Sequence, residues 1–161
     1  MRPDKDHYFM MIAKVVSTRA TCLRRSVGCV LVDAKGRVLS TGYNGVASGQ
    51  HHCNEANSEG VFDQACPAAH NKSGTNLDGC LAIHAEQNAL LQCRDVDKIH
   101  KAYCTTQPCI TCTKLLMGTG CSIIVYDEPY PHSDAMDFWK HAGRSIYQVH
   151  VKNSIINIKT E

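Results

Sequence analysis

The sequence predicts an α/β fold in which one mixed, five-stranded sheet lies between helical layers. Three observations carry this. Apolar residues recur at helical spacing in some segments, short apolar runs of strand length stand in others, and turn residues separate them in the order α-β-β-α-β-α-β-α-β. A length of 161 residues suits a single domain over 1–161, long enough to bury a real core. A Cys-rich insertion at about 46–80 interrupts the pattern.

Residues 4–20 read as an amphipathic helix. Tyr8, Met11, Ile12, Val15 and Val16 fall at i, i+3, i+4, i+7 and i+8, Pro3 and Asp4 are start signals, and His7 faces solvent. The apolar run 27–32, the turn residues Asp33, Ala34, Lys35 and Gly36, and a second strand at 37–43 predict a β-hairpin. Gly42-Tyr43-Asn44-Gly45 ends it. Asn44 is either a turn residue or a donor and acceptor at the rim of a pocket. Residues 84–93 read as a helix and 101–106 as a strand, and Pro108 suits the first turn of a helix over 109–117 that Gly118 and Gly120 stop. The continuous apolar run 121–126 is a strand buried on both faces. A proline-bearing loop, a helix at 134–142 and a strand at 145–151 follow. The tail from residue 152 reads as an edge strand or an oligomer contact.

Composition narrows the function. A formal charge of +2, from 17 basic and 15 acidic residues, gives weak long-range attraction to a nucleic-acid polymer. No run of 18 apolar residues predicts a membrane span, and the apolar run after Tyr8 is broken by Lys14 with no cleavage site beyond it, so no signal peptide is expected. The expected compartment is the reducing cytoplasm, where ten cysteines point to metal binding more than to disulfides.

Two short stretches carry the chemistry, His84-Ala85-Glu86 and Pro108-Cys109-Ile110-Thr111-Cys112. His84, Cys109 and Cys112 make three zinc ligands, and three protein ligands leave a fourth position open, as in a catalytic zinc site. The two cysteines lie one turn apart at a helix N-terminus, which favours thiolate. Glu86, two residues after His84, projects differently from the ligand and can act as a proton shuttle. The long connection 46–80 holds His51, His52, Cys53, Cys66, His70 and Cys80. A second, structural zinc would tie it down, with Cys53, Cys66 and Cys80 as ligands and Cys22 or His70 as the fourth. The alternative is a set of unpaired buried thiols, with His51 and His52 at the surface.

The sequence H-x-E followed by P-C-x-x-C is the known signature of zinc-dependent nucleobase deaminases, in which the Glu moves protons while water attacks the ring carbon bearing the amino group. On cytosine the products are uracil and ammonia, and a backbone N–H at Ala85 is placed to hold the ring carbonyl. Beyond this motif, Thr21-Cys22-Leu23-Arg24-Arg25-Ser26-Val27-Gly28, Ser40-Thr41-Gly42-Tyr43-Asn44-Gly45, the Cys-rich insertion before His84-Ala85-Glu86-Gln87-Asn88-Ala89, and Val125-Tyr126-Asp127-Glu128-Pro129-Tyr130 resemble the deoxycytidylate (dCMP) deaminase family from about residue 5 to residue 150. The resemblance implies a three-layer α/β/α cytidine-deaminase-like fold and conversion of dCMP to dUMP for thymidylate supply. It implies a homo-oligomer, commonly a hexamer, activated by dCTP and inhibited by dTTP with Mg2+. It implies that Asn44 contacts the nucleotide sugar, and it supports the second zinc, its fourth ligand still open. Arg24 and Arg25 read either as an effector-phosphate clamp or as a solvated pair, and Tyr126 and Tyr130 either stack on a base or pack the loop. Two rival readings are a deaminase of tRNA or another polynucleotide, and a non-catalytic, zinc-stabilised nucleotide-binding module.

Overall fold

The computed structural model describes residues 2–53, 66–76, 79–131 and 134–152. Part of the Cys-rich insertion, 54–65, and nearly all of the tail, from residue 153, lie outside the described residues. The order is α1 (Lys5–Ser17), β1 (Gly28–Asp33), β2 (Val38–Tyr43), α2 (Ala85–Gln92), a 3-10 turn (Val96–Lys98), β3 (Ile99–Thr106), α3 (Ile110–Met117), β4 (Ile123–Glu128), α4 (Asp134–His141) and β5 (Ser145–Gln148). The sheet runs β2-β1-β3-β4-β5. β1 is antiparallel to both β2 and β3, whereas β3, β4 and β5 run parallel. The predicted mixed five-stranded sheet is therefore present.

The hairpin forms as its turn chemistry predicts. Asp33 Oδ1 accepts from the backbone N–H groups of Lys35 at 2.9 Å and Arg37 at 2.8 Å, and Gly36 takes a φ of +78° that other residues resist. Alternation along the strands then divides the core. Val30, Val32, Tyr103 and Val125 face α1, while Cys29, Leu31, Ala102, Cys104 and Ile124 face the side covered by α2, α3 and α4. Gly28 and Gly42 set the close approach of the two layers. A Cβ on Gly28 would meet the Ala13 carbonyl, and one on Gly42 would meet the backbone of Ala85 and Ala89.

The first helix departs from its expected face. Phe9, Met10 and Ala13 are buried, while Tyr8 and Val15 stand 49% and 45% exposed. Residues 8–13 are apolar almost all round, so two overlapping stripes fit the helical period. Tertiary contact decides between them: Ala13 lies over Gly28, and the Phe9 ring packs 5.1 Å from that of Tyr103. Asp4 caps the helix, accepting from the His7 N–H at 2.8 Å. The polar residues that interrupt α1 then fix it to the sheet. Asp6 accepts from the hydroxyls of Tyr103 at 2.7 Å and Tyr147 at 2.8 Å and pairs with Lys101, and Lys14 reaches the buried carboxylate of Asp127. Arg144 closes the far end of α3. It lies over the Trp139 ring and donates to the carbonyls of Met117 at 2.9 Å and Cys121 at 2.6 Å.

Candidate functional site

The site is made by two helix starts. Ile83 and Gly45 exchange backbone hydrogen bonds of 2.8 and 3.1 Å, which brings the chain off the end of β2 onto His84, the N-cap of α2. The His84 N–H donates to the Gln87 side chain at 3.0 Å, and Asn88 Nδ2 donates to the Tyr43 carbonyl at 2.8 Å, pinning the helix to the hairpin. The second start follows β3. The Gln107 N–H donates to the Glu128 carbonyl at 2.8 Å, Pro108 disfavours a helical backbone at Gln107, and Cys109 becomes the N-cap of α3. Cys112 lies one turn on.

These starts bring His84, Cys109 and Cys112 together. His84 Nδ1 lies 3.5 Å from the Cys109 sulfur and 3.4 Å from the Cys112 sulfur. Among the described residues they are the one His, Cys, Asp and Glu group whose donor atoms all close to within 4.8 Å of one another. Zinc–nitrogen and zinc–sulfur bonds of about 2.05 and 2.3 Å at a tetrahedral angle span an N···S edge of about 3.5 Å, so this donor set fits zinc in type and spacing. Both sulfurs are buried, Cys112 fully. The hydrogen bond from the Cys112 thiol, helped by the His84 imidazole, holds Cys109 down at about 4, and the same bond pushes Cys112 up. The hydrogen bond with Cys109 likewise raises His84. Glu86 points into the same place, is 4% exposed, and has its carboxyl raised by that burial.

A solvent-open cleft leads to this group. Glu86, Ala85, Asn44, Arg24, Arg25 and Tyr130 line it, as do Thr106 and Gln107, which sequence reasoning missed. Arg24 and Arg25 are half-buried, not solvated. Arg24 Nη2 donates to the carbonyls of Lys72 and Thr75, each at 2.8 Å, and so grips the loop whose Ser73 and Gly74 form one wall. The Arg25 guanidinium lies 5.9 Å from the centre of the Tyr130 ring. The Nη1 atoms of both arginines are buried with no hydrogen-bond partner among the described residues.

Asn44 lines the cleft, and its side chain is engaged by the backbone. Its Oδ1 accepts from the Val27 N–H at 2.8 Å and its Nδ2 donates to the Arg25 carbonyl at 2.6 Å, so it holds the arginine segment in place while lining the cleft. Tyr126 is buried in β4, between Cys104 of β3 and Gln148 of β5, and does not line the cleft. Stacking on a base is thus open to Tyr130 alone of the two tyrosines.

The cysteines of the insertion gather beside this wall. Cys53 and Cys66 form a small buried cluster with Ala68 and Ala69, against which the half-buried Cys80 packs, and Cys22 interacts with Cys53 and Cys80. Against the desolvation of its burial, backbone N–H groups of Leu81 and Ala68 and the thiols of Cys53 and Cys80 hold Cys66 below the usual thiol range. Burial and the hydrogen bond to Cys66 push Cys53 up to about 12. The set is looser than the His84 group. Cys22 belongs to it, and His70 is exposed. All ten cysteines are free thiols.

The family model for the cytidine and deoxycytidylate deaminase zinc-binding region matches residues 3–128. The deoxycytidylate deaminase of Saccharomyces cerevisiae is 38% identical over 151 residues, 92% of this chain but 46% of that protein, so the chain spans about half the length of this relative. The deoxycytidylate deaminase of Mycobacterium phage D29 is 38% identical over 78% of this chain and 95% of its own length. Among solved structures, the dCMP deaminase of cyanophage S-TIM5 in complex with dCMP and dUMP superposes with a TM-score of 0.69 at 26% identity, covering 92% of this chain and 99% of that one. Both halves of the zinc motif fall inside the matched residues, and the chain belongs to the cytidine and deoxycytidylate deaminase family.

Proposed function

We propose that this chain deaminates dCMP to dUMP and ammonia with zinc at His84, Cys109 and Cys112. The observation that carries the reading is the pair of unpartnered guanidinium nitrogens, Arg24 Nη1 and Arg25 Nη1, in the same cleft as those ligands and Glu86. Two cationic side chains that line one cleft, each with a guanidinium nitrogen lacking a hydrogen-bond partner among the described residues, suit the 5′-phosphate of a mononucleotide. The relatives named for dCMP deamination support the same substrate.

Zinc, when bound, supplies Lewis-acid activation of water at neutral pH. Glu86 takes a proton from the attacking water and passes it to N3 as the new C4–O bond forms. It then moves the hydroxyl proton to the amino group, the C4–N4 bond breaks, and ammonia leaves. The N–H of Ala85, in the first turn of α2 where helical partners are lacking, holds the ring carbonyl. Asn44 keeps the arginine segment in register and faces the sugar, and Tyr130 flanks the base.

The test compares dCMP with deoxycytidine. Hydrogen bonds to a charged group contribute about 1.5–3 kcal/mol, so Arg25→Ala should raise KM for dCMP roughly 10- to 100-fold and leave deoxycytidine kinetics unchanged. Equal kcat/KM for the two substrates in the wild type would remove the phosphate assignment. Deamination of tRNA without turnover of dCMP would replace this reading by the polynucleotide one.

The second zinc belongs to Cys22, Cys53, Cys66 and Cys80. Thiol clustering and the backbone N–H bonds onto Cys66 support it. Two zinc ions per chain are expected by elemental analysis, and a count of one would remove this site. Exposed Leu91, Leu115 and Ile110 on α2 and α3 suit a homo-oligomer, proposed to be a hexamer. Free thiols throughout suit the cytoplasm. Regulation by dTTP with Mg2+ as inhibitor and dCTP as activator completes the proposal. At subsaturating dCMP, dTTP should lower the rate and dCTP restore it, and indifference to both would end it.

A further inference from the structure

The cleft contains a third orphan donor that the reaction does not use. Among the described residues, six side chains carry a buried polar atom without a hydrogen-bond partner, and three of them, Arg24, Arg25 and Gln107, line this one cleft. All three orphan atoms are nitrogens. Buried polar groups are ordinarily satisfied, and one left alone costs stability unless something else supplies its partner. Gln107 is 3% exposed. Its backbone is fixed from both sides, by the N–H bond to the Glu128 carbonyl and by Pro108, so its side chain is held at this place. The chain continues from Glu128 through Pro129 to Tyr130, and Gln107 and Tyr130 line the cleft together with the arginines and His84.

We infer that the Gln107 carboxamide is a substrate-positioning and specificity-determining group, donating a hydrogen bond to an acceptor oxygen of the bound pyrimidine nucleotide. The inference rests on the proposed deamination of dCMP and adds to it. The arginines recognise the charge of the substrate, and Gln107 fixes how the nucleotide lies between that charge and the zinc ligands. The amide is uncharged, so its contribution is orientation, felt alike in the ground state and the transition state.

The experiment measures steady-state kinetics of dCMP for wild type, Gln107→Met and Gln107→Glu, with melting temperature and zinc content alongside. Methionine keeps the length and packing without the donor, and glutamate keeps the shape but replaces the donor with an acidic acceptor. For Gln107→Met, KM should rise about tenfold with kcat within about twofold, as expected for loss of one neutral hydrogen bond. Gln107→Glu should raise KM further, because its charge repels the nucleotide. Zinc content should match wild type in both, and Gln107→Met should melt no lower than wild type, since it removes an unsatisfied buried donor. An unchanged KM in Gln107→Met while the wild type turns over dCMP overturns the assignment and leaves the deaminase reading intact. A loss of kcat and zinc together also overturns it, since it shows a structural role. No turnover of dCMP by wild type overturns the deaminase reading, and this inference with it.

Discussion

Glu86→Gln should lower kcat for dCMP by about 10²–10⁴-fold, the range that a positioned proton-transfer group contributes, while zinc content and fold stay as in wild type. The substitution keeps shape and size at a position 4% exposed, so packing is undisturbed. What it removes is the ability to carry a proton between water, N3 and the departing amine. Glu86 does not belong to the three-residue group whose donor atoms converge, which is why metal retention separates its role from that of a ligand. Zinc analysis and single-turnover dUMP formation measure the two quantities on one preparation. Activity within tenfold of wild type would refute the assigned proton path.

Cys112→Ser should abolish both zinc binding at this centre and turnover. Loss of an outer-shell partner typically weakens metal affinity 10–100-fold, and loss of a direct ligand should exceed that. Under dialysis the zinc count should fall from the expected two per chain to one, with activity falling in proportion. The chain should also lose stability. The folded chain no longer gains the free energy of metal binding at this centre. A variant with two zinc ions and full activity would show that this residue is not a ligand.

The elements that place His84, Cys109 and Cys112 were readable because their signals are local. Pro108 and the glycines after Met117 bound α3, and the motif spacing sets one helical turn between Cys109 and Cys112. Where the sequence fell short, distant contact decided the outcome. The face of α1 depends on Ala13 meeting Gly28, and neither residue announces this in its own segment. Arg24 grips carbonyls 48 and 51 residues away, a pairing that no periodicity encodes, so a half-buried clamp read equally as a solvated pair. Tyr126 lies in β4, with Cys104 and Gln148 beside it on the flanking strands, a placement that only the sheet order reveals. Gln107 carried one faint signal, its place directly before Pro108, and the lack of a partner for its side-chain nitrogen among the described residues became visible only in three dimensions.

That the ligands occupy the first positions of two helices has a consequence for how such a chain can vary in length. His84 is the N-cap of α2, and Cys109 and Cys112 are the N-cap and third helical residue of α3. Inserting one residue inside either stretch would turn everything after it by about 100° about the helix axis and carry a ligand away from its partners. Insertions in the connection 46–80 or in the loop after β4 change neither phase. Indels should therefore be excluded within 84–86 and 109–112 as firmly as inside the buried strands, and a deletion and insertion scan read by zinc content would mark the two helix starts with no assay of turnover.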